Sequence, residues 1–387
     1  MYDGADMSQL LDKLVDLLDI PASHYKLATE RYRSLGEWLH RDGSRVADFD
    51  PAICPQGSFN YGTVIRPLFG EDEYDLDLVC TLQSLSKGCI TQKYVKNIVG
   101  QEIKDYAAAH NMRSPAHEGK RCWRLDYADD VSFHMDILPS IPDDVETIRA
   151  LVALGVDPEL AAQTIAITDR EHAQYSEVSS DWPRSNPKGF AEWFKRRMRH
   201  VAEHRMRQLV LNEIYASIDE VPAYEWRTPL QRSIQLLKRH RDVMFRERPA
   251  GKPISMIITT LAAHAYQGEA DLHEALVNII DGMPDYVRDE EPRIPNPVNP
   301  AEDFADRWKR DRSRESNFWQ WLAQAKADVH NLARSVSPED LGTIVERGLA
   351  LTLSEDTMKP VLPTTAFVSV GPAVHIERPA RPWGRGG

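Results

Sequence analysis

One stretch limits what this chain can fold into more than any other: QGSFNYGTVIRPLFGEDEYDLDL, from Gln56 to Leu78. Its last residues alternate acidic and apolar, as a strand with one buried face does. Side chains of a strand point to alternate faces, so residues two apart share one. Asp75 and Asp77 therefore face the same way, and Tyr74, Leu76 and Leu78 face a core. Two carboxylates side by side repel each other. A divalent cation offsets that repulsion, because hard ions such as Mg²⁺ prefer oxygen ligands. Upstream, Gln56 leads into Gly57, which lets the backbone approach a ligand closely, and Ser58, which adds a hydroxyl. Free N–H groups in such a turn suit a phosphate. A lone Gly-Ser or a lone Asp-x-Asp carries little. With an apolar strand between turn signals, the two together read as a nucleoside-triphosphate site.

A third carboxylate has a candidate. Ser132 to Leu138 reads SFHMDIL and alternates again. Asp136 and His134 share one face, and Phe133, Met135 and Ile137 the other. Apolar neighbours argue against a free, solvated Asp136. The alternative to a ligand role is a carboxylate paired with an arginine.

The 387 residues are enough for two lobes and a sizeable core. No apolar run reaches membrane-spanning length, and the N-terminus lacks the layout of a signal peptide, so no membrane is expected and the cytoplasm is the default location. Cys54, Cys80, Cys89 and Cys122 are scattered without a C-x-x-C pair, which predicts reduced thiols and no zinc site. The net charge of −12 disfavours a grip on duplex nucleic acid, which calls for a basic footprint.

Along the chain, Met7 to Leu18 and His24 to His40 carry apolar stripes at helical spacing, with Ser8 a possible cap for the first. Asp50-Pro51 turns the chain into the Gly-Ser segment. Thr91 to Asn111 reads as an amphipathic helix. Cys122 to Tyr127 and Val131 to Leu138 read as a hairpin turning at Asp129-Asp130 and stopped by Pro139 and Pro142. The result is a mixed α/β lobe. From Val145 the chain reads helical. Asn186 with Pro187 and Thr228 with Pro229 are helix starts. The basic helix after Pro187 presents either a solvated face or a nucleotide or partner contact. Lys238, Arg239 and Arg241 lie around the edge of the helix after Thr228, and Ser255 caps Met256 to Tyr266. Glu291 to Pro300 is a Pro- and Asn-rich loop, and Glu302 to Arg334 is helical, anchored by Trp308, Phe318, Trp319 and Trp321. These readings divide the chain into a catalytic lobe over 1–145 with a long N-terminal helix, a helical lobe over 146–357, and a Pro- and Gly-rich tail over 358–387.

Gly57-Ser58, Asp75-x-Asp77 and the separate Asp136 resemble the polymerase-β-type nucleotidyltransferase signature. The segments PQGSFNYGTVIRP, YDLDLVC, SNPKGFAEWF, LQRSIQLLKRHRD, KPISMIITTLAAHAY and NPVNPAEDFADRW narrow the resemblance. They are similar to the bacterial cGAS/DncV-like nucleotidyltransferases (CD-NTases), cyclic-oligonucleotide synthases of the CBASS anti-phage systems. The likeness runs from about Leu35 to Trp308.

The resemblance implies a bilobed α/β (α+β) enzyme, with a long helix across both lobes. It implies two Mg²⁺ or Mn²⁺ ions between Asp75, Asp77 and Asp136. ATP, GTP or other nucleoside triphosphates would be substrates, held by Gln56, Gly57, Ser58, Lys238 and Ser255. Tyr61 falls where relatives stack an aromatic ring on a base; the alternative is a core tyrosine. The expected product is a cyclic dinucleotide such as cyclic GMP–AMP. Other readings are transfer to an RNA end, a small molecule or a protein, and an inactive nucleotide-binding scaffold. Animal relatives respond to duplex nucleic acid, a property the charge balance argues against here. The chain ends in HIERPARPWGRGG. A diglycine end can thread a narrow channel. In some operons of the resembled family a ubiquitin-transfer-like enzyme conjugates the synthase's C-terminal residue, which makes Gly387 a candidate conjugation site and Trp383 a candidate anchor. A frayed terminus is the other reading of the same residues.

Overall fold

Pro21 divides the N-terminal apolar stripes into two helices, because proline lacks an N–H and its ring clashes with a preceding helical turn. They are α1 (Gly4–Leu18) and α2 (Ala22–His40). The structure, a computed structural model, describes residues 4–69, 73–128, 132–211, 227–335 and 337–358. Strand β1 (Pro51–Gln56) runs into the short helix α3 (Gly57–Tyr61), and β2 (Tyr74–Leu82) follows. Helix α4 (Gln92–Ala109) starts at Thr91, whose side chain accepts from the Tyr94 N–H. Then come β3 (His117–Glu118), β4 (Trp123–Ala128), β5 (Ser132–Pro142), α5 (Val145–Ala153) and α6 (Pro158–Ala161). Two short strands follow, β6 (Ile165–Ile167) and β7 (Arg184–Ser185). The helices α7 (Pro187–Leu211), α8 (Pro229–Met244), α9 (Ser255–Ala265) and α10 (Leu272–Gly282) come next. After the hairpin of β8 (Pro295–Asn296) and β9 (Asn299–Asp303), the chain forms α11 (Arg312–Arg334), α12 (Pro338–Leu349) and α13 (Glu355–Met358).

The main sheet runs β1-β2-β5-β4-β3, with β6 on the far part of β5 and β7 on β6. Among the described residues only β2 and β5 pair in parallel, a pairing that needs a crossover, and the chain between them supplies it through α4. Their register sets Asp75 opposite His134 and Asp77 opposite Asp136.

Two cores result. Under the sheet, Leu35 and Leu39 of α2 and Val95, Val99 and Ile103 of α4 meet Leu76, Leu78, Phe133, Met135 and Ile137. The helical core gathers Leu10, Leu11, Leu14 and Leu18 of α1 with Leu230, Ile234, Ile258, Leu276 and Trp321. Each fully buried leucine is worth roughly 1.5–3 kcal/mol, so the stripe on α1 commits it firmly to the helical core. The stretch His24 to His40, which the resemblance reads as the long helix, is α2 and serves the sheet core, while α1 serves the helical core.

Several expectations need correction. Ser8 lies inside α1, where its hydroxyl donates to Asp271 (2.5 Å) instead of capping. Pro139 does not stop β5, which runs on to Pro142 while the Pro139 carbonyl accepts from the Thr168 N–H. The region after Val145 is not all helical, because β6 and β7 rejoin the sheet. Glu302 lies in β9, and α11 starts only at Arg312, capped by Asp311. Trp308, Phe318 and Trp321 are buried anchors, whereas Trp319 stays 37% exposed. Cys54, Cys80, Cys89 and Cys122 are free thiols. No helix of the described residues is long and apolar enough to cross a membrane. The turn at Asp129-Asp130, Trp383 and Gly387 lie outside the described residues.

Candidate active site

The Gly-Ser turn and the acidic strand meet where β1 pairs with β2, which sets Gln56 opposite Asp77. Gly57 follows with φ +70°, a conformation that favours glycine. A Cβ on it would fall 2.1 Å from Asp77 Oδ2, so no other residue fits against that carboxylate without a shift. Gly57 and Ser58 form the first turn of α3, where backbone N–H groups have no partner inside the helix. They border a cleft of about 1040 Å³ that also takes in Asp75, Asp77, Lys238 and Ser255.

Asp77 is the strained member of the acidic group. Burial first, then the charges of Asp75 and Asp136, push its carboxyl up to about 6. Asp136 has a different neighbour. Arg124, opposite it on β4, donates Nε to Oδ1 (2.8 Å) and Nη2 to Oδ2 (2.9 Å). The arginine pair that the sequence left open is therefore present. His134, on the same face as Asp136, is held by Asp126 (3.1 Å) and Glu73 (2.5 Å).

The opposite wall is α8. Its start is a capping box: Thr228 accepts from the Gln231 N–H while the Gln231 side chain accepts from the Thr228 N–H. From there a row of side chains about one turn apart grips the segment after the Gly-Ser turn. Gln231 donates to the Tyr61 carbonyl (2.8 Å), Gln235 to that of Val64 (2.8 Å), Lys238 to that of Thr63 (2.7 Å) and Arg239 to that of Arg66 (2.8 Å). These bonds tie the two lobes together along one edge of the cleft. Lys238, Arg239 and Arg241 are accordingly buried, which corrects their placement around the helix edge. Burial, then the nearby Arg241, pull the Lys238 ammonium down to about 7. Ser255 is the first residue of α9 and not its cap, a position Ile254 holds; its hydroxyl accepts from Arg241 Nη1 (2.9 Å).

Tyr61 takes the core role. It is 6% exposed, with its ring tilted against Phe190 (5.4 Å) and Phe194 (5.8 Å), and it borders the cleft from within the helical core. Sequence reasoning missed Arg124, and with it the bond that Arg241 makes to Ser255. The alternation in Cys122 to Tyr127 puts Arg124 on the polar face, but only the β4–β5 register shows what it meets.

Among the described residues no three acidic, histidine or cysteine side chains form a ready cage for an ion. The chemistry of the donors still fits one. Asp75, Asp77 and Asp136 are hard oxygen ligands, and their mutual repulsion at Asp77 is what a divalent cation would relieve.

Residues 51–139 match the family model for the nucleotidyltransferase domain of cyclic GMP-AMP synthase DncV-like proteins. A c-di-GMP synthase of Roseivirga ehrenbergii is 30% identical over 308 residues, 78% of this chain and 73% of that protein. The chain belongs to the cGAS/DncV-like nucleotidyltransferases. A cyclic dinucleotide synthase, CdnG, of Bradyrhizobium diazoefficiens is 24% identical over 361 residues, 87% of this chain and 77% of that protein. The solved structure of the Bradyrhizobium CD-NTase CdnG in complex with GTP superposes with a TM-score of 0.65 at 20% identity, over 92% of this chain and 98% of that one. The fold of this CD-NTase is thus the bilobed polymerase-β type. Its activity class is nucleotidyl transfer in cyclic oligonucleotide synthesis.

Proposed function

We propose that the chain joins two nucleoside triphosphates into a cyclic dinucleotide at the cleft between β2 and α8. The observation that carries this is the β2–β5 register, which sets Asp77 beside Asp136 with Asp75 on the same face. Two Mg²⁺ or Mn²⁺ ions held by Asp75, Asp77 and Asp136 would supply Lewis-acid activation of the attacking ribose hydroxyl and offset the charge of the triphosphate. Gly57 and Ser58 hold the donor phosphates from one side through backbone N–H groups and a hydroxyl. Lys238 and Ser255 hold them from the other. Lys238 now donates to a backbone carbonyl, and a triphosphate would favour its charged form. Gln56 steadies the turn as the strand partner of Asp77. Asp136, once free of Arg124, would draw off the hydroxyl proton. The hydroxyl attacks the donor's α-phosphorus and pyrophosphate leaves; the linear product then turns end for end, and the same groups close the ring with loss of a second pyrophosphate.

The two curated relatives are named as a c-di-GMP synthase and a cyclic dinucleotide synthase. That favours a guanine-containing ring. The role proposed for the ring is a signal in anti-phage defence. The test is purified chain with Mg²⁺ and radiolabelled ATP, GTP, CTP and UTP, each alone and in pairs, followed by phosphatase. GTP alone, or GTP with ATP, should give a phosphatase-resistant product with the mass of a cyclic dinucleotide. Labelled chains that phosphatase strips, or labelling only when RNA is added, would contradict the reading.

A further inference from the structure

We infer that Arg124 withholds the third carboxylate, Asp136, from metal until a nucleotide enters the cleft, and so sets the order in which ions and substrates load. The inference rests on the catalytic reading above. On the sheet, Asp136 stands between two partners: Asp77 opposite it on β2 and Arg124 opposite it on β4. The guanidinium donates to both carboxylate oxygens, at 2.8 and 2.9 Å. A two-point, charge-assisted pair of this kind neutralises the carboxylate and fixes its plane. Among the described residues no comparable guanidinium grips Asp75 or Asp77.

A divalent ion on the same oxygens would sit within a few ångströms of a positive charge that cannot be deprotonated. Ion and guanidinium therefore compete for Asp136. The pair is reversible rather than structural, because the Arg124 side chain is 41% exposed and that of Asp136 27% exposed. A nucleotide in the cleft would bring its negative charge to ions at Asp75 and Asp77, next to Asp136 on the sheet, and so shift that competition toward the ion. In the nucleotide-free enzyme, ions then bind through Asp75 and Asp77 alone. Asp136 joins them only once the cleft is filled. Arg124 acts through Asp136 and is a positioning residue.

The experiment is Mn²⁺ titration of the full chain without nucleotide, with free Mn²⁺ read by electron paramagnetic resonance. Wild type, R124Q, R124K, R124Q/D136N and D75N/D77N are compared, with thermal melts as a check on folding. R124Q should bind Mn²⁺ about fivefold tighter than wild type. R124K keeps the charge without the fork, should gain less, and carries the test if R124Q does not fold. The gain should vanish in R124Q/D136N, and wild type and R124Q should converge once a non-hydrolysable GTP analogue is present. Equal affinity in wild type and both Arg124 variants, or a gain that survives the loss of Asp136, would overturn the inference. Mn²⁺ binding in wild type that is unchanged in D75N/D77N would overturn the catalytic reading itself, and this inference with it.

Discussion

Asp77 concentrates the electrostatic conflict of the site. Its carboxyl titrates at about 6 instead of 3.8, chiefly through burial and then through Asp75 and Asp136. Between those two values the folded chain keeps a proton that the unfolded chain has released. Stability from this group is therefore fully present below pH 3.8 and is lost as pH rises through about 6. At pH 7 the buried charge disfavours the fold by about 3 kcal/mol. Asp77→Asn keeps the shape and removes the charge. Without divalent ions the variant should melt above wild type at pH 7, and the difference should shrink as pH falls toward 4. Thermal scans in chelator across that range check it, and a variant melting below wild type at pH 7 contradicts it. The three carboxylates were legible because a period of two needs only neighbouring residues. Tyr61 was not. Whether a tyrosine just past the Gly-Ser turn meets a base or Phe190 depends on α7, more than a hundred residues away.

Helix α8 shows the same division at the scale of elements. Its start was readable in Thr228-Pro229, since a cap and a proline in the first turn are local signals. Its function was not, because the row of Gln231, Gln235, Lys238 and Arg239 becomes a clamp only against carbonyls from residues 61–66. In sequence those side chains look like a solvated face. β6 and β7 stayed hidden for another reason: three- and two-residue strands are too short to show a period. If α8 is the clamp, loosening its cap should weaken both fold and substrate binding. Thr228→Ala removes the acceptor for the Gln231 N–H and should cost about 1 kcal/mol of stability. It should also raise the KM for nucleotide more than it lowers kcat, because the triphosphate wall shifts while the carboxylates stay in place. Denaturant titration and initial rates together check this. A normal KM in a destabilised variant would show that the cap serves stability alone.

For the whole molecule, the cleft exists because one chain builds two cores and then ties them together. α1 belongs to the helical core and α2 to the sheet core, and the α8 clamp closes the gap beside the acidic strands. The proposed nucleotide chemistry would then sit where the lobes meet, with acid on the sheet side and base on the helical side. That division is the central claim, and the product itself tests it most directly. Wild type and D75N/D77N are incubated with Mg²⁺ and labelled GTP and ATP, treated with phosphatase, and analysed by mass spectrometry. Wild type should accumulate a phosphatase-resistant cyclic dinucleotide. The double variant should keep its fold, judged by thermal melting, and yield no such product above background. A cyclic dinucleotide formed by D75N/D77N at a rate near wild type would contradict the account.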